Sequence, residues 1–359
     1  MKTRGASGRP KGFAIIIVMI VIMVLAMLAG AFALSMKVET RLAGNANNEA
    51  ELEWMARSGV ELARYVLGQS MGQPHTSLNQ IWAGGPGSGN ETNGPLMEIQ
   101  LTDVPLGAGR LSIRIEDLDR RFNINAPMPD PEKKQILNRA LTLMGMDAGD
   151  APTIEDSILD WLDPDDASHL SGTESDFYLM HSPPYVAKNG PIDDLAELLL
   201  VRGVTPESYW GPRAALHVSG QADGLEAEAP RYPVGLADLF TPLSGGRINV
   251  NTASAHVLQL LPGVDENVAQ NILRARAGAD GVDGTEDDTP FLNVTALNPA
   301  MVPGIIPELA GRYTALCSVS SSTFAVLVEV RIGMTRRVYR AVVRRNNPRD
   351  VAVLQFGWR

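Results

Sequence analysis

The sequence predicts an α+β protein with a long N-terminal helix, an antiparallel sheet and a large, mostly helical insertion. Three observations predict this fold class. An uncharged apolar run lies near the N-terminus, strand-like runs lie on both sides of a central block, and that block has helical spacing with long loops. A chain of 359 residues, with 45% apolar and 20% charged residues, is long and apolar enough to fold around a sizeable core.

The apolar run extends from Phe13 to Met36, 24 residues without a charge. At about 1.5 Å per residue, a helix of this length reaches roughly 36 Å and can span a bilayer. Four basic and no acidic residues precede it, which predicts that residues 1–12 are cytoplasmic and that the rest lies beyond the membrane. The alternative is a cleaved secretory signal, for which Ala31-Phe32-Ala33 offers a site, although signal cores usually have about 7 to 15 residues.

The helix is predicted to continue through residues 37–69 as an amphipathic segment. Apolar residues recur there at steps of three and four, which forms one apolar face opposite a charged one. The residues of the apolar face are Leu52, Met55, Ala56, Gly59, Val60, Ala63, Val66 and Leu67.

Strand-like runs on both sides of the central block predict a sheet-rich head formed by residues 70–128 and 311–359. Pro105, Gly107 and Gly109 predict a hairpin between the first two runs. The central block, residues 129–310, is predicted to be the helical insertion. The predicted strands are Leu96–Leu101, Arg110–Glu116, Tyr313–Val319, Thr323–Ile332 and Arg336–Arg345.

The formal net charge is −10, and the first twelve residues contribute +4 to it, so the remainder carries −14. A body this acidic has little capacity to neutralise phosphates, which counts against nucleic acid as a partner. The single cysteine, Cys317, excludes an internal disulfide and lies in an apolar run, where we expect a buried core residue.

Residues 248–276 have the pattern of a helix-hairpin-helix, with Leu261-Pro262-Gly263-Val264 as the hairpin. Such hairpins can offer backbone amides to a phosphate of DNA. Asp265 and Glu266 follow directly and would repel a phosphate, which favours a role in packing or protein contact. The segment from Phe122 to Ala126 is similar in sequence to the segment from Ile248 to Thr252. Each segment predicts a turn in which Asn caps the backbone.

Two acidic loops are candidates for calcium, which prefers six to eight oxygen ligands. Solvated acidic turns are the alternative, and neither loop has the spacing of an EF-hand. The predicted ligands are Asp163, Asp165, Glu174 and Asp176 in the first loop, and Asp280, Asp283, Asp287 and Asp288 in the second. Two further carboxylates of the first loop are Asp160 and Asp166.

Catalytic signatures are lacking in the sequence. The five histidines are scattered without ligand spacing, and Cys317 has no nucleophile motif around it. We therefore expect a protein that is not an enzyme.

The N-terminal junction Lys11-Gly12-Phe13 resembles the leader of type IV pilins and of the pseudopilins of type II secretion. The resemblance implies that a prepilin peptidase cuts between Gly12 and Phe13, that the new terminus is methylated, and that the apolar helix packs in a filament. Most members carry a glutamate at the fifth mature position, where this chain has Ile17. Its absence is typical of the K subunit, a tip or first-in subunit.

Motifs further along the chain are also similar to K subunits of type II secretion, minor pseudopilins with a pilin-like head and a helical insertion. These motifs include residues 119–125, 158–165, 172–178, 184–191 and 197–206. The resemblance implies a single-pass protein of the bacterial inner membrane that binds calcium, assembles with I- and J-like minor pseudopilins and serves the export of folded cargo. The alternatives are a membrane-anchored calcium-binding protein outside a filament and a DNA-handling protein of a competence-type pilus.

Overall fold

The computed structural model describes residues 13–87, 91, 94–214 and 231–358. Its longest element, helix α1, runs without interruption from Phe13 to Gln69. The segment from Ile15 to Thr40 is long and apolar enough to cross a membrane, and none of it is buried within the protein. Beyond it, the residues of the predicted apolar face are buried, so the predicted continuation into an amphipathic helix is confirmed.

Helix α1 packs on one face of a five-stranded antiparallel sheet with strand order β1-β2-β7-β8-β9. Val326, Val328 and Val330 alternate along β7, face α1 and are fully buried. Gly59 permits the close approach of helix and sheet, because a Cβ there would lie 2.7 Å from Cγ1 of Val328. The strands are β1 Val104–Leu106, β2 Gly109–Asp117, β7 Thr323–Ile332, β8 Thr335–Asn347 and β9 Asp350–Trp358.

The helix runs along the strands and not across them. At one end, Glu49 of α1 lies 3.9 Å from Arg337, next to the β7–β8 turn. At the other end, the carbonyl of Leu67 accepts a hydrogen bond from Arg345, near the end of β8. The β7–β8 turn therefore faces the apolar segment of α1, and the opposite ends of the strands point away from it.

Two predicted strands were wrong and one strand was missed. Leu96–Leu101 forms turns, because Gly94 and Pro95 interrupt the chain, and the hairpin partner of β2 is instead Val104–Leu106. Tyr313–Val319 is mostly helical: a helix covers Ala310–Leu316 and buries only Tyr313, and the strand is limited to Cys317–Ser318. The edge strand β9 was not predicted. Cys317 is fully buried, as expected.

The insertion leaves the sheet at Asp117 and returns at Thr323, so it lies at the strand ends farthest from the apolar segment. Its apolar core includes Phe122, Ile124 and Ala126, which the sequence analysis assigned to the head. The helices are α2 Asp130–Met144, α3 Ala151–Leu162, α4 Ser175–Tyr178, α5 Pro206–Trp210, α6 Leu236–Leu239, α7 Ala255–Leu258, α8 Glu266–Arg276 and α9 Ala310–Leu316.

The two similar Asn-containing segments, Phe122–Ala126 and Ile248–Thr252, have equivalent structures. Each opens with a two-residue parallel strand pair, β3 Phe122–Asn123 with β4 Phe240–Thr241, and β5 Ile248–Asn249 with β6 Cys317–Ser318. The first Asn, Asn123 or Asn249, accepts the backbone N–H two residues later. The second, Asn125 or Asn251, donates its amide to two distant loop carbonyls. The sequence similarity of the two segments therefore corresponds to a structural repeat within the insertion.

A buried carboxylate, Asp117, joins the sheet to the insertion. Its Oδ2 accepts hydrogen bonds from Ser321 Oγ at 2.6 Å, Thr252 Oγ1 at 2.5 Å and Asn249 Nδ2 at 3.3 Å. Its Oδ1 accepts the backbone N–H of Asp119 at 2.8 Å. Burial, reinforced by the neighbouring Asp119 charge, raises the pKa of Asp117 to about 7.

We expect the stability of the protein to depend on pH through Asp117. Because its folded-state pKa is raised from 3.8 to about 7, the folded state holds this proton more tightly, and the free energy of unfolding falls as pH rises through that interval. The decline should be shallower in the Asp117→Asn variant, which cannot titrate here. Urea denaturation across this pH range measures both slopes, and parallel slopes would contradict the expectation.

Candidate metal site and processing site

The predicted processing site lies at the start of α1. Gly12 lies outside the described residues, and the helix begins at Phe13. Ile17 is half exposed within the apolar segment. An apolar side chain therefore occupies the fifth position of the helix.

The first acidic loop follows α3, which ends at Leu162, directly before Asp163-Pro164. Asp160, fully buried, accepts hydrogen bonds from the backbone N–H of His169 at 2.9 Å and of Thr173, and it also contacts His169 Nδ1. One turn earlier, Asp156 accepts the N–H of Ser171 at 3.0 Å. Two carboxylates on one face of α3 thus hold the returning loop against the helix.

The carboxylates of Asp163 and Glu174 are brought inward by this loop. Glu174 is only 7% exposed, and neither of its buried oxygens has a hydrogen-bond partner. Oδ1 of Asp163 is also buried and unpartnered. Burial first, and then neighbouring carboxylates, raise the pKa of Glu174 to about 7 and that of Asp163 to about 6. Unpaired buried carboxylate oxygens are costly unless a cation or a proton compensates them.

The other two predicted ligands of this loop face solvent. Asp165 is exposed and accepts the N–H of Ala167, and Asp176 is exposed on α4. His169, which the sequence analysis did not select, lies with Asp160 and Asp163 in a group whose ligand atoms are within 4.8 Å of one another. Its proximity depends on the loop returning to α3, which residue spacing does not indicate.

The second acidic loop uses its carboxylates differently. Asp283 forms an ion pair with the buried Arg276, and Asp280 accepts the N–H of Val282. Asp287 accepts the N–H groups of Ala279 and Asp280, and Asp288 accepts that of Gly284. Each of the four predicted ligands therefore already has a protein donor, in contrast to Glu174.

The helix-hairpin-helix is present, with its two helices at Ala255–Leu258 and Glu266–Arg276. Its hairpin is covered by a later segment of the same chain. Tyr313 donates a hydrogen bond to the carbonyl of Pro262 at 3.0 Å, and a Cβ on Gly263 would lie 2.7 Å from both Ile306 and Leu309. A hairpin packed in this way supports the prediction of a structural role.

Comparisons with known proteins agree over most of the chain. Residues 120–211 match the family model for type II secretion system protein K, and residues 244–287 match a helix-hairpin-helix motif. The chain is 26% identical over 355 residues to type II secretion system protein K of Pseudomonas aeruginosa, covering 96% of this chain and 91% of that relative. It is 25% identical to the protein K of Klebsiella pneumoniae, covering 97% and 96%.

The fold is also similar to that of a chain in the crystal structure of the GspK-GspI-GspJ complex from enterotoxigenic Escherichia coli. The TM-score is 0.65 at 19% identity, and the match covers 88% of this chain and 98% of that one. At this identity the likeness concerns the fold, which agrees with the predicted α+β class.

Proposed function

We propose a mechanical role for this chain on the premise that it belongs to the type II secretion system protein K family, whose members are minor pseudopilins. We propose further that it is the tip subunit of a periplasmic pseudopilus, and that it helps to initiate or cap the filament that exports folded proteins. The role is structural and non-enzymatic.

The observation that carries this proposal is the continuity of α1. One helix of 57 residues links an exposed apolar segment to a buried amphipathic face, so any force on the segment is transmitted directly to the head. An exposed apolar helix is stable in a bilayer or against other apolar helices. The segment therefore suits both an inner-membrane anchor with a cytoplasmic leader and later packing among neighbouring subunits.

The tip position has two supports. Ile17 takes the place of the glutamate that most pseudopilins carry, a glutamate that the resemblance implies would pair with the terminal amine of a neighbouring subunit. The insertion leaves the sheet at Asp117 and returns at Thr323, at the end away from the apolar segment. A bulky lobe at that end would obstruct a further subunit above it. The partners we propose are I- and J-like minor pseudopilins, the prepilin peptidase and secreted cargo.

Calcium binding by the first acidic loop is part of the proposal. Glu174 and Asp163 fit the ion, because their buried oxygens lack protein partners and carboxylate oxygens are the ligands that calcium prefers. The ion would supply positive charge that lets these carboxylates stay ionised. Asp280, Asp283, Asp287 and Asp288 remain a second candidate group, with their oxygens already hydrogen-bonded.

The proposed processing predicts the mature N-terminus. In membranes from cells with a prepilin peptidase, mass spectrometry should find a protein that starts at methylated Phe13 and retains the apolar helix. The Gly12→Leu variant should keep its leader, because the resemblance places the cut directly after this glycine, and secretion should fall to background. A start after Ala33, or an intact Met1, would contradict the proposal and favour an exported or simply anchored calcium-binding protein.

A further inference from the structure

The C-terminal part of the head is basic within an acidic protein. Residues 311–359 contain nine arginines and two acidic residues, a net charge of +7 in a chain whose formal net charge is −10. Such segregation of charge creates a local field of sign opposite to that of the molecule. The position of this positive field depends on which face of the sheet carries these arginines.

The strand register assigns four of these nine arginines, together with two arginines of β2, to the sheet face opposite α1. Leu111, Ile113 and Ile115 of β2 pack toward α1, so the alternating Arg110 and Arg114 face the other way. The same alternation on β7 and β8 sets the orientation of their residues. We define the open face by six arginines with two glutamates among them: Arg110, Arg114, Arg331, Arg336, Arg340, Arg344, Glu116 and Glu329.

Three arginines of the open face form one cross-strand row. Arg110 is opposite Arg331, and Arg331 is opposite Arg336. Their side chains are 54%, 63% and 60% exposed. Like charges directly opposite each other destabilise a sheet. Glu329 pairs with both Arg331 and Arg336, and Asp103 pairs with Arg110, which leaves the row only partly neutralised.

The geometry of the head determines what can reach this face. Helix α1 lies along the strands on one side of the sheet. The open face is on the other side of the sheet and points away from the helix. A bilayer crossed by α1 would meet the strand turns and not the whole face. Neighbouring subunits that pack against the apolar helix would lie on the other side of the sheet.

The chemistry of the face suits a protein partner. The four long strands β2, β7, β8 and β9, about 4.8 Å apart, with about nine residues at about 3.3 Å each, give a face of roughly 570 Å², toward the lower end of the area that one partner contributes to a standard interface. The end of this face next to the insertion is covered, because Ala325 and Val342 are buried there. Aliphatic Leu327 and Val338 lie between the charges, where surfaces for single-stranded nucleic acid would place aromatic rings. Glu116 and Glu329 would also repel phosphates.

We propose that the open face docks an acidic protein surface, rich in aspartate and glutamate, from outside the bundle of packed helices. The proposal rests on the proposed function for the position of those helices. It does not involve the calcium loop or the processing site.

The first test is binding of full-length protein in detergent to labelled poly-L-glutamate. The Arg114→Glu/Arg336→Glu variant should bind about tenfold more weakly, and added salt should weaken wild-type binding. Arg337→Glu is the matched control, because Arg337 neighbours Arg336 but faces α1 and Glu49. Equal binding by the double variant and wild type would overturn the proposal, as would stronger binding to oligo-dT or to phosphatidylglycerol vesicles.

The second test is made in secreting cells. The double variant should lose secretion while still co-purifying with the I- and J-like subunits, and Arg337→Glu should retain both. Normal secretion by the double variant, or loss of co-purification, would overturn docking from outside the helices. Failure of the wild-type chain to co-purify would count against the proposed function itself, so the two failures are distinguishable.

Discussion

Replacing Asp117 by alanine is expected to lower the free energy of unfolding by about 3 to 5 kcal/mol. The change removes an acceptor that four buried donors share: the hydroxyls of Ser321 and Thr252, the amide of Asn249 and the backbone N–H of Asp119. The Asn249 amide keeps the carbonyl of Thr76, so the loss falls mainly on the two hydroxyls and the N–H. Asp119 and Ser321 each lie two residues from the ends of the sheet strands, whereas Asn249 and Thr252 lie far from both strands in the sequence. Urea denaturation of the full chain in detergent measures the loss.

The matched control for this prediction is Asp350→Ala. Asp350 is exposed at the start of β9 and accepts a single side-chain hydrogen bond, from Asn346. An exposed change of this kind usually alters stability by less than about 0.5 kcal/mol. A similar small effect for Asp117→Ala would mean that the junction does not join the two lobes. A large effect would explain how a lobe of some 200 residues stays fixed on a five-stranded sheet.

The junction also affects how the insertion responds to load. Arg345, 8% exposed, crosses from the sheet to the helix and loop, donating to the carbonyls of Leu67 and Ser321 and to the hydroxyls of Ser70 and Thr76. The C-terminal end of the insertion, at Ser321, therefore lies in buried polar contacts that also involve α1. A force applied along α1 reaches the insertion through hydrogen bonds as well as through apolar packing.

The parts of the fold that were predicted correctly depend on local periodicity. The apolar face of α1 repeats at helical spacing, and β7 alternates between buried valines and half-exposed residues, so each pattern needs only its own element. The strand β9 was missed because a register shift near Val353 disturbs its alternation. The short helix Ala310–Leu316 depends on tertiary contacts such as that of Tyr313 with Pro262.

The acidic candidates show the same limit. The sequence grouped Asp163, Asp165, Glu174 and Asp176 by proximity along the chain, but which carboxylates are buried depends on how the loop returns to α3. Asp160 fixes that return through the N–H groups of His169 and Thr173. Burial then separates Glu174, with two unpartnered oxygens, from the exposed Asp176 only two residues later. No pattern of residue types distinguishes the two.

The difference between the buried Glu174 and the exposed Asp176 predicts a large effect of calcium on stability, and it predicts that the effect depends on Glu174. Calcium at about 100 times its dissociation constant should stabilise the wild-type chain by about 2.7 kcal/mol, or roughly 2 to 4 °C in melting temperature, and EGTA should reverse the shift. Glu174→Gln should abolish the shift, because the amide keeps the shape of the side chain but removes a charged ligand. Thermal melting at neutral pH, with and without calcium, measures the difference.

Asp176→Asn is the control that makes this result specific to the inward carboxylate. It removes the same charge from the same loop at an exposed position, so the calcium shift should remain. Without calcium, Glu174→Gln should be at least as stable as wild type, since burial that raises the pKa of Glu174 to about 7 makes its ionised form costly. A full calcium shift in Glu174→Gln would exclude Glu174 as a ligand and would direct attention to Asp280, Asp283, Asp287 and Asp288. A shift lost in both variants would indicate an effect of overall charge, which a cation held by the inward oxygens of Glu174 and Asp163 does not predict.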